Sequence, residues 1–110
     1  MNIIQENVDC SGVKLTSQDT HGKELGRAFL YIMHNDLHDE PFGFMEDVCV
    51  VEEMRGKGLG TSLVKRVIAL AKEKGCYKLV ATSRYSREKV HKLYLKLGFK
   101  DQGKEFRIDF

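Results

Sequence analysis

The chain has 110 residues, 42% of them hydrophobic and 31% charged, with a formal net charge of +2 at pH 7. That is the make-up of an ordinary globular protein, read here as one domain over residues 1–110, and the charge is too mild to argue for nucleic acid or a membrane surface as the main partner. No basic segment followed by an apolar run opens the chain and no stretch approaches about 18 apolar residues, so a signal peptide and a membrane span are not expected and a cytoplasmic location is.

The first 23 residues are the least patterned. Short apolar-containing runs at Asn2–Val8 and Val13–Gln18 predict two strands, with turns at Ser11-Gly12 and His21-Gly22. No segment before residue 42 has a 3.6-residue apolar period with room for two helices. Residues 24–34 carry Leu25, Ala28, Phe29, Leu30, Tyr31, Ile32 and Met33, a nearly continuous apolar run that predicts a central strand covered on both faces. Residues 35–41 form a turn holding the only proline, Pro41. His34 and His38 beside its acidic residues could pass for a metal cluster, but on a turn they read as solvated, and no metal is expected.

The chain then returns at 42–51 as the antiparallel partner. Strict alternation would put Phe44, Glu46, Val48 and Val50 on one face and Met45, Asp47 and Cys49 on the other, so the adjacent carboxylates Glu46 and Asp47 would point apart. After an acidic turn comes Arg55-Gly56-Lys57-Gly58-Leu59-Gly60-Thr61, and then a helix over 59–74. Leu59, Leu63, Val67 and Leu70 make its apolar face, with Val64, Ile68 and Ala71 beside them, and Gly75 is placed to stop it. A short strand over 77–82 follows. Ser86 reads as the N-cap of a second helix ending at Gly98, and Phe106, Ile108 and Phe110 alternate as in a last strand over 99–110. Cys10, Cys49 and Cys76 show no C-x-x-C spacing, which fits reduced thiols, with Cys49 and Cys76 as small buried hydrophobes.

A glycine-rich turn into a helix presents unpaired N–H groups and the positive end of the helix dipole to an anion. A nucleotide P-loop would need Lys directly before Thr61, where Gly60 stands, and a dinucleotide fingerprint would need G-x-G-x-x-G, whereas glycines 56, 58 and 60 are two apart. What remains is R-x-x-G-x-G (Arg55, Gly58, Gly60) between an apolar strand and a helix. This resembles the pyrophosphate-binding loop of the Gcn5-related N-acetyltransferases (GNAT). Downstream, residues 87–99 resemble the family's pattern N-x-x-A-x-x-x-Y-x-x-x-G-F, with Val90 at the alanine position, Tyr94 at the tyrosine and Gly98-Phe99 at the close. Arg87 departs from the asparagine. Glu46-Asp47, Arg55-Gly56-Lys57 and Gly75-Cys76-Tyr77-Lys78 are similar to a branch of that family, the glucosamine-6-phosphate N-acetyltransferases, over roughly residues 44–99.

The resemblance implies an α/β (α+β) fold: a mixed, mainly antiparallel twisted sheet with two main helices. The family's two helices between its first strands, which build much of the acceptor site, are reduced or absent here. It implies acetyl-CoA as co-substrate, no metal, and direct transfer of the acetyl group to a primary amine on a small molecule or a protein. The main chain of Val48 and Val50 would meet the pantetheine arm. Arg55, Gly56, Lys57, Gly58, Leu59, Gly60 and Thr61 would hold the pyrophosphate, while Arg84, Arg87 and Lys89 are near enough in sequence to meet the adenosine phosphate. Tyr94 would be the general acid, Glu46 a candidate base, and Glu46 and Asp47 candidate acceptor ligands. The family commonly dimerises, so a homodimer is one expectation, with a second subunit completing the acceptor site. The alternative is a coenzyme-binding sensor or regulatory module without turnover. Nucleic-acid binding through Lys65, Arg66, Lys72 and Lys74 lacks interleaved aromatics.

Overall fold

Along Ser11–Gln18 every second residue from Val13 turns inward, which makes this segment, β1, an edge strand with one wet face. The computed structural model describes residues 1–110 and orders the sheet β1-β2-β3-β4, with β2 at Glu24–Met33, β3 at Phe42–Val50 and β4 at Leu79–Ala81. β1, β2 and β3 pair antiparallel, and β3 pairs parallel with β4. A 3₁₀ turn at Glu52–Met54 leads to helix α1 at Leu59–Glu73, and helix α2 spans Glu88–Lys96. This is the mixed, mainly antiparallel sheet with two helices that the resemblance implies, and no helix precedes residue 52.

The core lies between α1 and one face of the sheet. Leu63, Val64, Val67 and Ala71 of the helix pack on Ala28, Leu30 and Ile32 of β2 and Met45 of β3. A Cβ at Gly26 would stand 3.0 Å from Leu63 Cδ1 and 3.3 Å from the Cys49 carbonyl, so the missing side chain is what lets the start of α1 settle on the sheet. The helix ends where expected. Gly75, at φ 78°, passes its N–H to Lys72 and that of Cys76 to Ala71, closing the last turn.

Several expectations are corrected. Residues 1–10 are exposed and form no strand, because no neighbouring edge receives them. β2 is covered on one face only; on the other Phe29 stacks on Tyr31, with ring centroids 6.1 Å apart, and Tyr31 stays 40% exposed. Its unbroken apolar run reflects aromatics that shield one another rather than a second helical layer. The strand predicted over 77–82 is paired only at Leu79–Ala81. The N-cap of α2 is Arg87, whose side chain makes no capping bond, and not Ser86. The alternating run over 99–110 is no strand: Phe106, Ile108 and Phe110 are exposed, since alternation without a paired edge fixes no conformation. Cys49 is exposed and Cys76 half-buried, so only the latter behaves as a hydrophobe beside the core.

Candidate functional site

The strict alternation expected along β3 fails at one point, and the site depends on that failure. Arg27 pairs with Cys49 and Phe29 with Glu46, so Asp47 and Val48 together stand opposite the single residue Ala28. This is a β-bulge. Asp47, at φ 49°, is the only non-glycine residue in the left-handed region. Beyond the bulge the faces exchange: Val48 and Val50 join the core side that Met45 occupies before it. Glu46, opposite Phe29, and Asp47, bonded to Arg27, therefore both look out of the uncovered face, rather than to opposite sides as alternation predicted.

The bulge also sets the main chain. The Val51 N–H donates to Leu25, at 2.9 Å, so alternation turns the Val50 N–H and the Val48 carbonyl to the other edge of β3. That edge is open, because β4 pairs with β3 only as far as Met45. The Arg55 Nε donates to the Val50 carbonyl at 3.3 Å, folding the loop back against the strand.

After this edge come glycines with φ of 76° at Gly56 and 85° at Gly58, and Gly58 caps α1. Neither a Cβ at Gly56 nor one at Gly58 would meet any atom within 4 Å, so these glycines serve the backbone turn and leave its concave side clear. The backbone N–H groups of residues 56–61 donate to no acceptor within the protein. They form a row of donors at the positive end of a 15-residue helix.

Two adjoining cavities, of about 440 Å³ and 610 Å³, share Val50, Arg55, Lys89 and Val90 and form one groove. Its loop end holds Gly56, Gly58, Leu59, Gly60 and Thr61; its strand end holds Val48, Cys49 and Arg87. The structure thus brings most of the expected coenzyme residues together, with Lys57 and Arg84 outside the lining. Met54, Val90 and Leu93 line the groove without having been assigned to it. The signal for two of them lay in the helical period, since Lys89, Val90 and Leu93 fall on one face of α2.

Tyr94, Glu46 and Asp47 lie outside the groove lining. Tyr94 packs on Phe99, with centroids 5.1 Å apart, and against the core, at the closed end of α2 where the Phe99 N–H returns to the Tyr94 carbonyl. Burial raises its phenol above the usual value; the Glu46 charge adds to the rise and Arg87 opposes it. Asp47 is held below its ordinary value first by its bond to Arg27, whereas Glu46 makes no ion pair.

The model of the Acetyltransferase (GNAT) family matches residues 14–99. A probable glucosamine 6-phosphate N-acetyltransferase of Oryza sativa subsp. japonica is 38% identical over 68 residues, which are 62% of this chain and 39% of that protein. An aminoglycoside N(6')-acetyltransferase of Stenotrophomonas maltophilia is 26% identical over 102 residues, 90% of this chain and 67% of its own length. A solved acetyltransferase structure from Trypanosoma brucei superposes with a TM-score of 0.82 at 32% identity, covering 90% of this chain and 69% of that one. The chain thus spans well under half the length of the rice relative and about two thirds of the others.

Proposed function

Because the chain belongs to the Acetyltransferase (GNAT) family, whose model matches residues 14–99, we propose that it transfers the acetyl group of acetyl-CoA directly to a primary amine. The observation that carries this reading is the row of unspent N–H groups at residues 56–61, opening on a groove flanked by Arg55, Arg87 and Lys89. That arrangement suits a diphosphate joined to a long thin arm. Bound there, acetyl-CoA supplies the thioester.

The remaining roles fall to the chain's own residues. The loop amides, with Arg55 and Lys89 beside them, hold the phosphates. The Val50 N–H and Val48 carbonyl offer the open strand edge to an extended amide-bearing arm, in the manner of an added strand. The same edge aims a donor at the carbonyl under attack. Glu46, exposed and unpaired, receives the acceptor's ammonium and its proton. Tyr94, protonated at neutral pH, returns a proton to the departing sulfur. Relatives named for glucosamine 6-phosphate, aminoglycosides and thialysine support a small polar amine as acceptor class.

A second reading is a coenzyme-binding module without turnover. It is favoured by the short Asp19–Lys23 turn between β1 and β2, which leaves the outer sheet face without helices. Free-thiol release from acetyl-CoA with a panel of amino sugars, diamines and lysine analogues separates the two. Turnover with at least one amine, reduced about 100-fold or more in Glu46→Gln, is expected. Binding of acetyl-CoA with no thiol release above background would leave the module reading.

A further inference from the structure

We propose that Arg27 is a positioning residue: acting through Asp47, it fixes the β3 bulge that sets which main-chain groups lie along the open strand edge. The value of that edge to coenzyme rests on the function proposed above; the bulge itself does not.

Three observations meet at this residue. Asp47 carries a side chain in the left-handed region, a conformation disfavoured for L-residues though tolerated by Asp better than by most, so the bonds its carboxylate makes bear on whether the chain keeps it. The Arg27 guanidinium takes the Asp47 carboxylate through two bonds, Nε to Oδ2 at 2.9 Å and Nη2 to Oδ1 at 3.1 Å. Arg27 is itself braced, with Nη1 3.4 Å from Glu24 Oε2 and Glu24 Oε1 2.8 Å from Lys14 Nζ. The brace runs across β1, β2 and β3, ending on the left-handed residue of the bulge.

What the bulge controls follows from strand geometry. Removing one extra residue from a strand exchanges its faces and its edges. Without the bulge, the segment after Asp47 could keep its hydrogen bonds to β2 only by turning Val48 and Val50 out of the core. If it kept those side chains inside, it would lose the pairing of Cys49 with Arg27. In either case the Val50 N–H and Val48 carbonyl leave the line that leads to the Gly56–Thr61 amides. Arg27 touches neither groove cavity, so its side chain acts on coenzyme only indirectly, and the bonds it makes to β3 are those to Asp47. A two-pronged grip also explains an arginine here, because a lysine cannot span both carboxylate oxygens in one plane. Asp47 is consequently engaged, and Glu46 is left as the available carboxylate on that face.

The test is a double-substitution cycle of Arg27→Met and Asp47→Gly, because glycine adopts φ near +50° unaided. Wild type, both single variants and the double variant are titrated with acetyl-CoA by calorimetry and unfolded in urea. Arg27→Met should weaken acetyl-CoA binding roughly ten-fold in the presence of Asp47 and change it less than about two-fold when Asp47→Gly is already in place. Arg27→Lys should recover only part of the loss. Equal affinity of Arg27→Met and wild type, or the same loss in both backgrounds, overturns the proposal. If wild type takes up no acetyl-CoA, the proposed function falls, and the urea midpoints decide the bulge: the same background dependence supports the brace and additive effects refute it. If Arg27→Met does not fold, Arg27→Lys takes its place in the cycle under the same criteria.

Discussion

Tyr94 joins burial to chemistry in one side chain. A phenol with an ordinary pKa near 10 is a slow donor at neutral pH, and here burial moves it further up, so it holds its proton throughout the working range. A group whose folded value lies above its unfolded one stabilises fully below pH about 10, and that contribution is lost as pH climbs through the folded value. Tyr94→Phe keeps the ring against Phe99 and the core, so folding and acetyl-CoA affinity should survive. Turnover should fall about 100-fold or more, the usual scale of a lost proton donor. An ultraviolet titration of wild type against Tyr94→Phe should show the missing phenol ionising above the ordinary tyrosine value near 10. An undiminished rate, or a Tyr94 that ionises at or below the ordinary tyrosine value, would remove the assignment.

Among the elements, the loop and α1 form one device, and Gly58 is its hinge. It caps the helix at φ 85° with open space where a side chain would go, so substitution there tests backbone conformation without a clash. Gly58→Ala should lower stability by about 1–2 kcal/mol and weaken acetyl-CoA binding, while Gly58→Asn, a side chain that tolerates the left-handed region, should do less of both. Equal effects of the two would mean that the turn is not what matters. This element could be read in the chain because glycine spacing, an apolar 3.6-residue period and a stopping Gly75 all agree. The bulge could not. Asp47 takes a glycine-like conformation without being glycine, held by an arginine 20 residues away, and no local pattern announces such a partner. The pairing of Glu46 and Asp47 on one face was hidden for the same reason. Residues 99–110 misled in the opposite direction: their alternation is real, but a strand is made by its neighbour, and no edge takes this one.

For the whole molecule the decisive fact is how little of it is sealed. Ten of 110 residues are buried, the outer sheet face carries an ion ladder and stacked aromatics without a helix over them, and residues 1–10 and 100–110 are exposed throughout. A core of eight hydrophobic side chains between one helix and one sheet face leaves a small margin of stability. The groove adds to that weakness, because α2 meets the rest of the protein mainly through Tyr94, Leu97 and Phe99 at its far end while its first turns flank the cavity. A ligand that bridges the α1 amides, the β3 edge and the start of α2 would join parts that the protein itself joins loosely. At 100 times its dissociation constant such a ligand stabilises the folded state by about 2.7 kcal/mol. For a chain of this size that corresponds to a rise in melting temperature of roughly 10 °C or more. Scanning calorimetry with acetyl-CoA should show that rise, and at the same coenzyme concentration it should shrink in Gly58→Ala and Arg27→Met with the logarithm of their loss of affinity, to about half for a ten-fold loss. A melting temperature that stays flat to millimolar coenzyme would mean the groove does not gather these three elements around a ligand.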